Sequence, residues 1–82
     1  MTTQNAYVLH DIKAKTYGPI MFQENDVIAH RVMEQSMKNK EQTFAQYPSD
    51  FNLVKIGTYD TFEGKLIPCE HEILANLSNY VQ

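Results

Sequence analysis

The chain has 82 residues, of which 43% are hydrophobic, 11% are aromatic and 21% are charged, with a formal net charge of −3 at pH 7. This length supports one thin hydrophobic core and excludes two independent domains, and the apolar fraction excludes a disordered chain. No apolar run approaches the roughly 20 residues that a membrane-spanning helix needs. We therefore expect one globular domain over residues 1–82, without a membrane partner.

Residues 7–13 read YVLHDIK, and their β-branched and aromatic side chains predict a first strand. Tyr17, Gly18 and Pro19 interrupt it, because glycine tolerates positive φ and proline cannot donate to a sheet. Residues 20–23 then form a short second strand, which gives a loose hairpin.

The sequence predicts a helix over residues 26–38. Asn25 or Glu24 can begin it by accepting a bond from a free amide, and Asp26 complements the positive end of the helix dipole. Apolar residues follow at positions 28, 29, 32, 33 and 37, which is helical spacing. Asn39 suits the end of the helix.

The second half begins with a connection over residues 41–50 that contains Phe44 and Tyr47 and has room for a turn of helix. Residues 51–59 then have strand composition, and residues 60–64 have the turn chemistry of a hairpin loop, with Gly64 at the positive-φ position.

Residues 65–67 are the predicted returning strand, and Pro68 is expected to end it. A stripe of Ile73, Leu74, Leu77 and Tyr80 or Val81 predicts a second amphipathic helix from residue 70 to residue 81. The predicted class is α+β, with a small antiparallel sheet of three or four strands in ββαββα order and one main helix packed on a face. A homodimer through a sheet edge or a helix face would reinforce so thin a core.

Catalytic and metal-binding chemistry finds little support in the sequence. Cys69 and His71 form one pair of possible zinc ligands where structural zinc sites normally need two pairs. Asp60 and Glu63 occupy a turn, where aspartate is favoured for its backbone geometry. We therefore expect no enzyme activity, no cofactor, no metal and no small-molecule substrate. Gly57, inside a strand, is interpreted as a bulge, with close approach of a partner backbone as the alternative.

Cations and aromatic residues interleave in a way that suits single-stranded nucleic acid, where bases stack on rings and phosphates meet positive charge. The alternative is a solvated helix face and core aromatic residues. The candidate contacts are Lys13, Lys15, Tyr17, Arg31, Lys38, Lys40, Lys55 and Tyr59. The acidic balance of the chain, however, favours a protein partner over naked DNA.

Residues 47–60 read YPSDFNLVKIGTYD, and Gly64 and Ile67-Pro68 follow them. Together with Ile12-Lys13-Ala14-Lys15 and Tyr17-Gly18-Pro19, this pattern resembles the small nonstructural protein of gokushoviruses, single-stranded DNA phages of the Microviridae. The resemblance covers residues 7–68 and includes no catalytic signature.

The resemblance implies a phage protein that is made in the host bacterial cytoplasm and acts in viral DNA synthesis by binding single-stranded DNA, a replication protein, or both. A single cysteine, Cys69, agrees with a reducing compartment. The alternative function is an assembly or scaffolding factor that binds capsid protein. Salt-dependent DNA binding would favour the first, and co-purification with coat protein would favour the second.

Overall fold

The computed structural model describes residues 3–80 and shows an α+β fold in which one main helix lies on an antiparallel sheet of five strands. The elements in chain order are β1 (Thr3–Asp11), β2 (Thr16–Tyr17), β3 (Met21–Gln23), α1 (Asp26–Ser36), α2 (Thr43–Gln46), β4 (Phe51–Asp60) and β5 (Lys65–Asn76). Short 3₁₀ turns cover Pro48–Asp50 and Leu77–Tyr80. The predicted class, the first hairpin and the main helix are therefore confirmed.

The sheet is organised around β1 and β4, which pair along their whole length from Thr3 opposite Asp60 to Asp11 opposite Phe51. On its other side β1 pairs with β2 near one end and with β3 near the other, so these two short strands share one edge. β5 pairs with β4 and forms the opposite edge. The first hairpin thus contributes two short strands where the sequence predicted one.

Helix α1 begins where the sequence predicted, because the Asn25 side chain accepts a bond of 2.9 Å from the backbone N–H of Ile28. The helix ends at Ser36, two residues before the predicted end. There the backbone N–H of Lys38 donates to the carbonyl of Gln35, three residues back, which tightens the chain into a 3₁₀-like turn.

The hydrophobic core lies between the sheet and α1. Tyr7 and Leu53 contribute from the sheet and are fully buried. Five other buried side chains complete the cluster: Ala29, Met33, Met37, Ala45 and Leu77. The core therefore depends on the long β1–β4 pair as much as on the helix.

The predicted C-terminal helix over residues 70–81 is wrong. Strand β5 continues to Asn76 and is followed by the 3₁₀ turn, while residue 81 lies outside the described residues. Two residues of the apolar stripe nevertheless contribute to the core: Leu74 packs against it and Leu77 is buried in it. Tyr80 then contacts α1, where its hydroxyl and Nδ1 of His30 form a hydrogen bond.

Pro68 does not end the strand, since it lies within β5 opposite Gly57. β5 is an edge strand, the position in a sheet where proline is tolerated. The register shifts between Lys55 and Gly57, so the predicted bulge at Gly57 is confirmed. The close backbone neighbour at Gly57 belongs to this chain itself: a Cβ added there would lie 2.5 Å from the carbonyl oxygen of Ile67.

Replacing Asn25 with alanine should lower the free energy of unfolding by about 1 kcal/mol, because the N–H of Ile28 loses its partner. Urea unfolding followed by circular dichroism measures this loss. Gln35→Ala, on the exposed surface of the same helix, is the control and should change stability by less than about 0.5 kcal/mol. Equal stability of the two variants would contradict the assigned cap.

Candidate nucleic-acid interface

The face of the sheet opposite α1 carries no helix among the described residues, and we call it the open face. Successive side chains of a strand alternate between faces, and paired residues of neighbouring strands share a face. Because Tyr7 and Leu9 contact the helix side, Ala6, Val8 and His10 lie on the open face. Their partners Phe22 and Tyr17 lie there too.

Three rings lie at one end of the open face, and Tyr17 contacts the other two. The rings of His10 and Tyr17 are stacked, with centroids 4.5 Å apart and planes 14° from parallel. The ring of His71 on β5 meets Tyr17 edge-on, with centroids 5.5 Å apart. Tyr17 nevertheless remains 52% exposed, so much of its surface is available to a ligand. We call these residues the ring cluster.

A second pair of rings lies further along the same face. Phe22 and Tyr59 have centroids 5.3 Å apart with their planes tilted by 50°. Phe22 is 40% exposed. The open face therefore offers two separate aromatic surfaces, which is the arrangement that stacks successive bases of a single strand.

Lys13 and Lys15 lie in the loop that joins β1 to β2, between His10 and Tyr17 in the chain. The loop is ordered by local bonds, because the Asp11 carboxylate accepts from the N–H of Ala14 at 3.0 Å and the Asp11 carbonyl accepts from the N–H of Lys15 at 2.8 Å. Lys15 has a φ of 59°, which closes the tight turn. Both lysines are exposed.

The other predicted cations lie elsewhere. Arg31 is on α1, and Lys38 and Lys40 follow that helix, so the sheet separates all three from the open face. Lys55 is paired with Tyr7 and Glu72, which places it on the helix side. Tyr59 belongs to the second ring pair. Lys13, Lys15 and Tyr17 thus lie in one hairpin, and four of the eight predicted residues lie on the other side.

His10, Phe22 and His71 are site residues that the sequence analysis missed. The alternation of β1 already placed His10 with Val8, which was a usable signal for a shared face. His71 gave no such signal, because the apolar stripe after it indicated a helix. The contact between His71 and Tyr17 depends on the length of β5, which only the folded chain reveals.

The carboxylates of the second hairpin have a structural role. Oδ1 of Asp60 accepts from the backbone N–H groups of Phe62 and Glu63, at 2.9 and 3.2 Å. Gly64, with a φ of 69°, donates to the Asp60 carbonyl. The predicted turn chemistry is therefore confirmed.

The side chains that could bind a metal ion are dispersed over residues 3–80. Within this part of the chain, no group of three or more histidine, cysteine or acidic side chains is arranged to hold a metal ion. Cys69 is exposed and free. None of the helices described has the length and apolar character required to cross a bilayer.

Comparison with known proteins gives one match. A family described as Phage ORF5 protein matches residues 4–80, nearly the entire chain. No curated protein and no solved structure matches the chain significantly. The aligned range includes both helices and every strand except the first residue of β1, Thr3, together with the ring cluster, Lys13 and Lys15. The chain therefore belongs to the Phage ORF5 protein family.

Proposed function

We propose that this phage protein is a non-enzymatic factor of the gokushovirus type that acts in viral genome synthesis by binding single-stranded DNA on its open face. The observation that carries the proposal is the ring cluster, in which an exposed tyrosine stacked on His10 belongs to the same hairpin as Lys13 and Lys15. Rings that are exposed on a sheet and flanked by cations are suited to unpaired bases and their phosphates.

Stacking supplies the attraction that does not depend on base sequence. A base that stacks on an aromatic side chain gains about 1–3 kcal/mol. Tyr17 is already held by its contacts with His10 and His71, so it loses little rotational freedom when a base covers it. Phe22 and Tyr59 offer a second stacking surface on the same face.

The lysines supply the electrostatic part. Within residues 3–80 the ion pair observed joins Lys65 to Glu63 at 3.9 Å, so Lys13 and Lys15 are not neutralised by a carboxylate partner. Two cations are few for a DNA-binding protein, and the net charge of the chain is −3. We therefore expect modest affinity, with a replication protein as an additional partner that raises it.

Replacing Tyr17 with alanine should weaken binding of a fluorescently labelled single-stranded oligonucleotide by about tenfold, since one stacking contact is lost. Fluorescence anisotropy at low salt measures the dissociation constant. Tyr47→Ala is the matched control, because Tyr47 is 58% exposed but does not belong to the ring cluster. It should bind like the unmodified protein.

Salt dependence tests the lysines separately. The double variant Lys13→Ala/Lys15→Ala should reduce the slope of log affinity against log salt by about 1.4, the value for two phosphates of a single strand. The control is Lys38→Ala/Lys40→Ala, which removes the same charge from the helix side and should leave the slope nearly unchanged. Equal effects of the two pairs, or no binding at low salt, would contradict the proposal.

A further inference from the structure

A cleft opens on the helix side of the sheet, where the hairpin of β1 and β2 faces the segment from α2 to β4. Its volume is about 360 Å³. Leu9, Phe44 and Phe51 supply apolar surface, and Asp11, Thr16 and Gln42 supply polar groups. This size is within the range, roughly 300–1,000 Å³, of small-molecule sites.

We propose that this cleft holds one unstacked base of single-stranded DNA and selects a base whose pairing edge carries an amino group. The inference rests on the proposed function and deepens it, since it adds a base preference to a surface that otherwise binds by stacking and charge. The occupant is inferred from the chemistry of the lining and from the connection of the cleft to the ring cluster.

The lining combines two features that a base requires. The rings of Phe44 and Phe51 provide the flat apolar contact that the face of a base prefers. The polar groups provide hydrogen bonds for its edge, and a concave apolar surface with a few placed polar groups is typical of ligand-binding sites.

Asp11 determines which edge fits. Its Oδ1 already accepts from Ala14, but a carboxylate has about four lone-pair positions, so capacity for a ligand N–H is left. Cytosine, adenine and guanine carry amino groups that can donate there, whereas thymine presents carbonyl oxygens around a single N–H. A carboxylate facing a carbonyl oxygen is repulsive, so thymine should be disfavoured.

Gln42 and Thr16 can complete the pattern of hydrogen bonds, because each side chain both donates and accepts. Gln42 precedes α2 but makes no capping bond with its side chain. Its amide is thus not committed to holding the helix, and replacing it should leave the fold intact. Thr16 is paired with Asp11 across the hairpin, so the two side chains share the face that lines the cleft.

The cleft is continuous with the ring cluster. Tyr17 borders the cleft and also carries the ring that stacks on His10. Lys13 and Lys15 lie in the loop that joins Asp11 to Thr16. A single DNA strand with one base stacked on Tyr17 can therefore pass around the short strand β2 and place its next base in the cleft. The phosphate between the two bases would then lie near the lysines.

Labelled oligo(dC) and oligo(dU) of equal length provide the test, since cytosine and uracil have nearly the same shape but cytosine carries an amino group and a bare N3 where uracil carries a carbonyl and an N3–H. Anisotropy titrations should show oligo(dC) binding about tenfold more tightly, the discrimination expected of a paired hydrogen-bond contact. Oligo(dT) should behave like oligo(dU). Asp11→Asn keeps an acceptor for Ala14 but adds a donor, and Gln42→Ala removes an amide; each should reduce the dC/dU ratio to about threefold or less.

Two controls match these variants. Asp60→Asn changes an aspartate with the same turn-forming role in the other hairpin, and Gln35→Ala removes an exposed amide from α1. Both should keep the full ratio. If the ratio is unity and neither cleft variant alters it, while Tyr17→Ala still weakens binding, the inference is overturned and the proposed function stands. If no oligonucleotide binds at low salt, the proposed function fails first and the inference falls with it.

Discussion

Replacing Gly57 with alanine should destabilise the protein by about 3 kcal/mol or more, the upper end of the cost of overpacking. The added Cβ would lie 2.5 Å from the Ile67 carbonyl oxygen and 3.1 Å from Cα of Pro68. Both neighbours are backbone atoms of β5, so they cannot move without breaking the pairing of the two strands. A small single core rarely supplies more than about 3–5 kcal/mol, so much of the population should unfold.

The other two glycines are controls within the same chain. At Gly18 the nearest atom to an added Cβ is 3.6 Å away, an ordinary contact, so Gly18→Ala should be nearly neutral. Gly64 has free space but a φ of 69°, so Gly64→Ala should cost about 1 kcal/mol. Urea unfolding of all three variants gives the order of their stabilities. A Gly57 variant as stable as the Gly18 variant would contradict the close approach of the β5 backbone to Gly57.

Removing the hydroxyl of Tyr7 should have the second largest effect, about 2 kcal/mol. This hydroxyl donates to the Asp26 carboxylate at 2.6 Å and accepts from the Asn5 amide at 2.9 Å. It therefore ties the first turn of α1 to the central strand. Tyr7→Phe leaves the Asp26 carboxylate with only the longer bond of 3.5 Å from the Asn5 amide, and bonds to charged groups are the stronger class. Tyr47→Phe, at an exposed position, should change stability by less than about 0.5 kcal/mol.

The contribution of the Tyr7 hydroxyl to the free energy of unfolding should also depend on pH. Burial, and next the hydrogen bond to Asp26, raise the pKa of Tyr7 to about 12, above the ordinary value of 10.0. The folded state therefore holds this proton more tightly than the unfolded state does. Its contribution is fully present below pH 10 and is lost as the pH rises from about 10 to about 12.

Urea unfolding of Tyr7→Phe and the unmodified protein between pH 7 and pH 11 measures this dependence. The difference in unfolding free energy between them should shrink as the pH passes 10, because only the unmodified protein loses the Tyr7 contribution. Burial also raises the pKa of Tyr80, and that effect is common to both proteins. A difference that stays constant over this range would contradict the assigned role of Tyr7.

Local chemistry made some elements predictable. Asn25 satisfies an amide within its own turn, and Gly64 supplies a positive φ within its own loop, so neither depends on distant residues. The apolar spacing of α1 is likewise a property of a short segment. For the same reason Lys13, Lys15 and Tyr17 could be grouped, because they flank one turn of the chain.

Distant pairing made the rest unpredictable. Residues 70–76 have an apolar pattern compatible with a helix. They form a strand instead, because β4 is already paired with β1 and its other side is available for pairing with β5. Bulges in that pair allow Leu74 to reach the core, and a strand with an irregular register has no simple alternation to read. The cleft was equally hidden, since Asp11 and Gln42 are 31 positions apart in the sequence.

The pairing of β1 with β4 has a consequence for the order of folding. β1 can join β2 and β3 soon after synthesis, but its longer partner begins only at Phe51. Tyr7 and Leu53 cannot be enclosed together before that strand exists. Closing so large a loop is entropically costly, and folds dominated by non-local strand pairs form slowly. We therefore expect the nascent chain to emerge with its aliphatic residues exposed and to acquire its native packing only after β4 has left the ribosome.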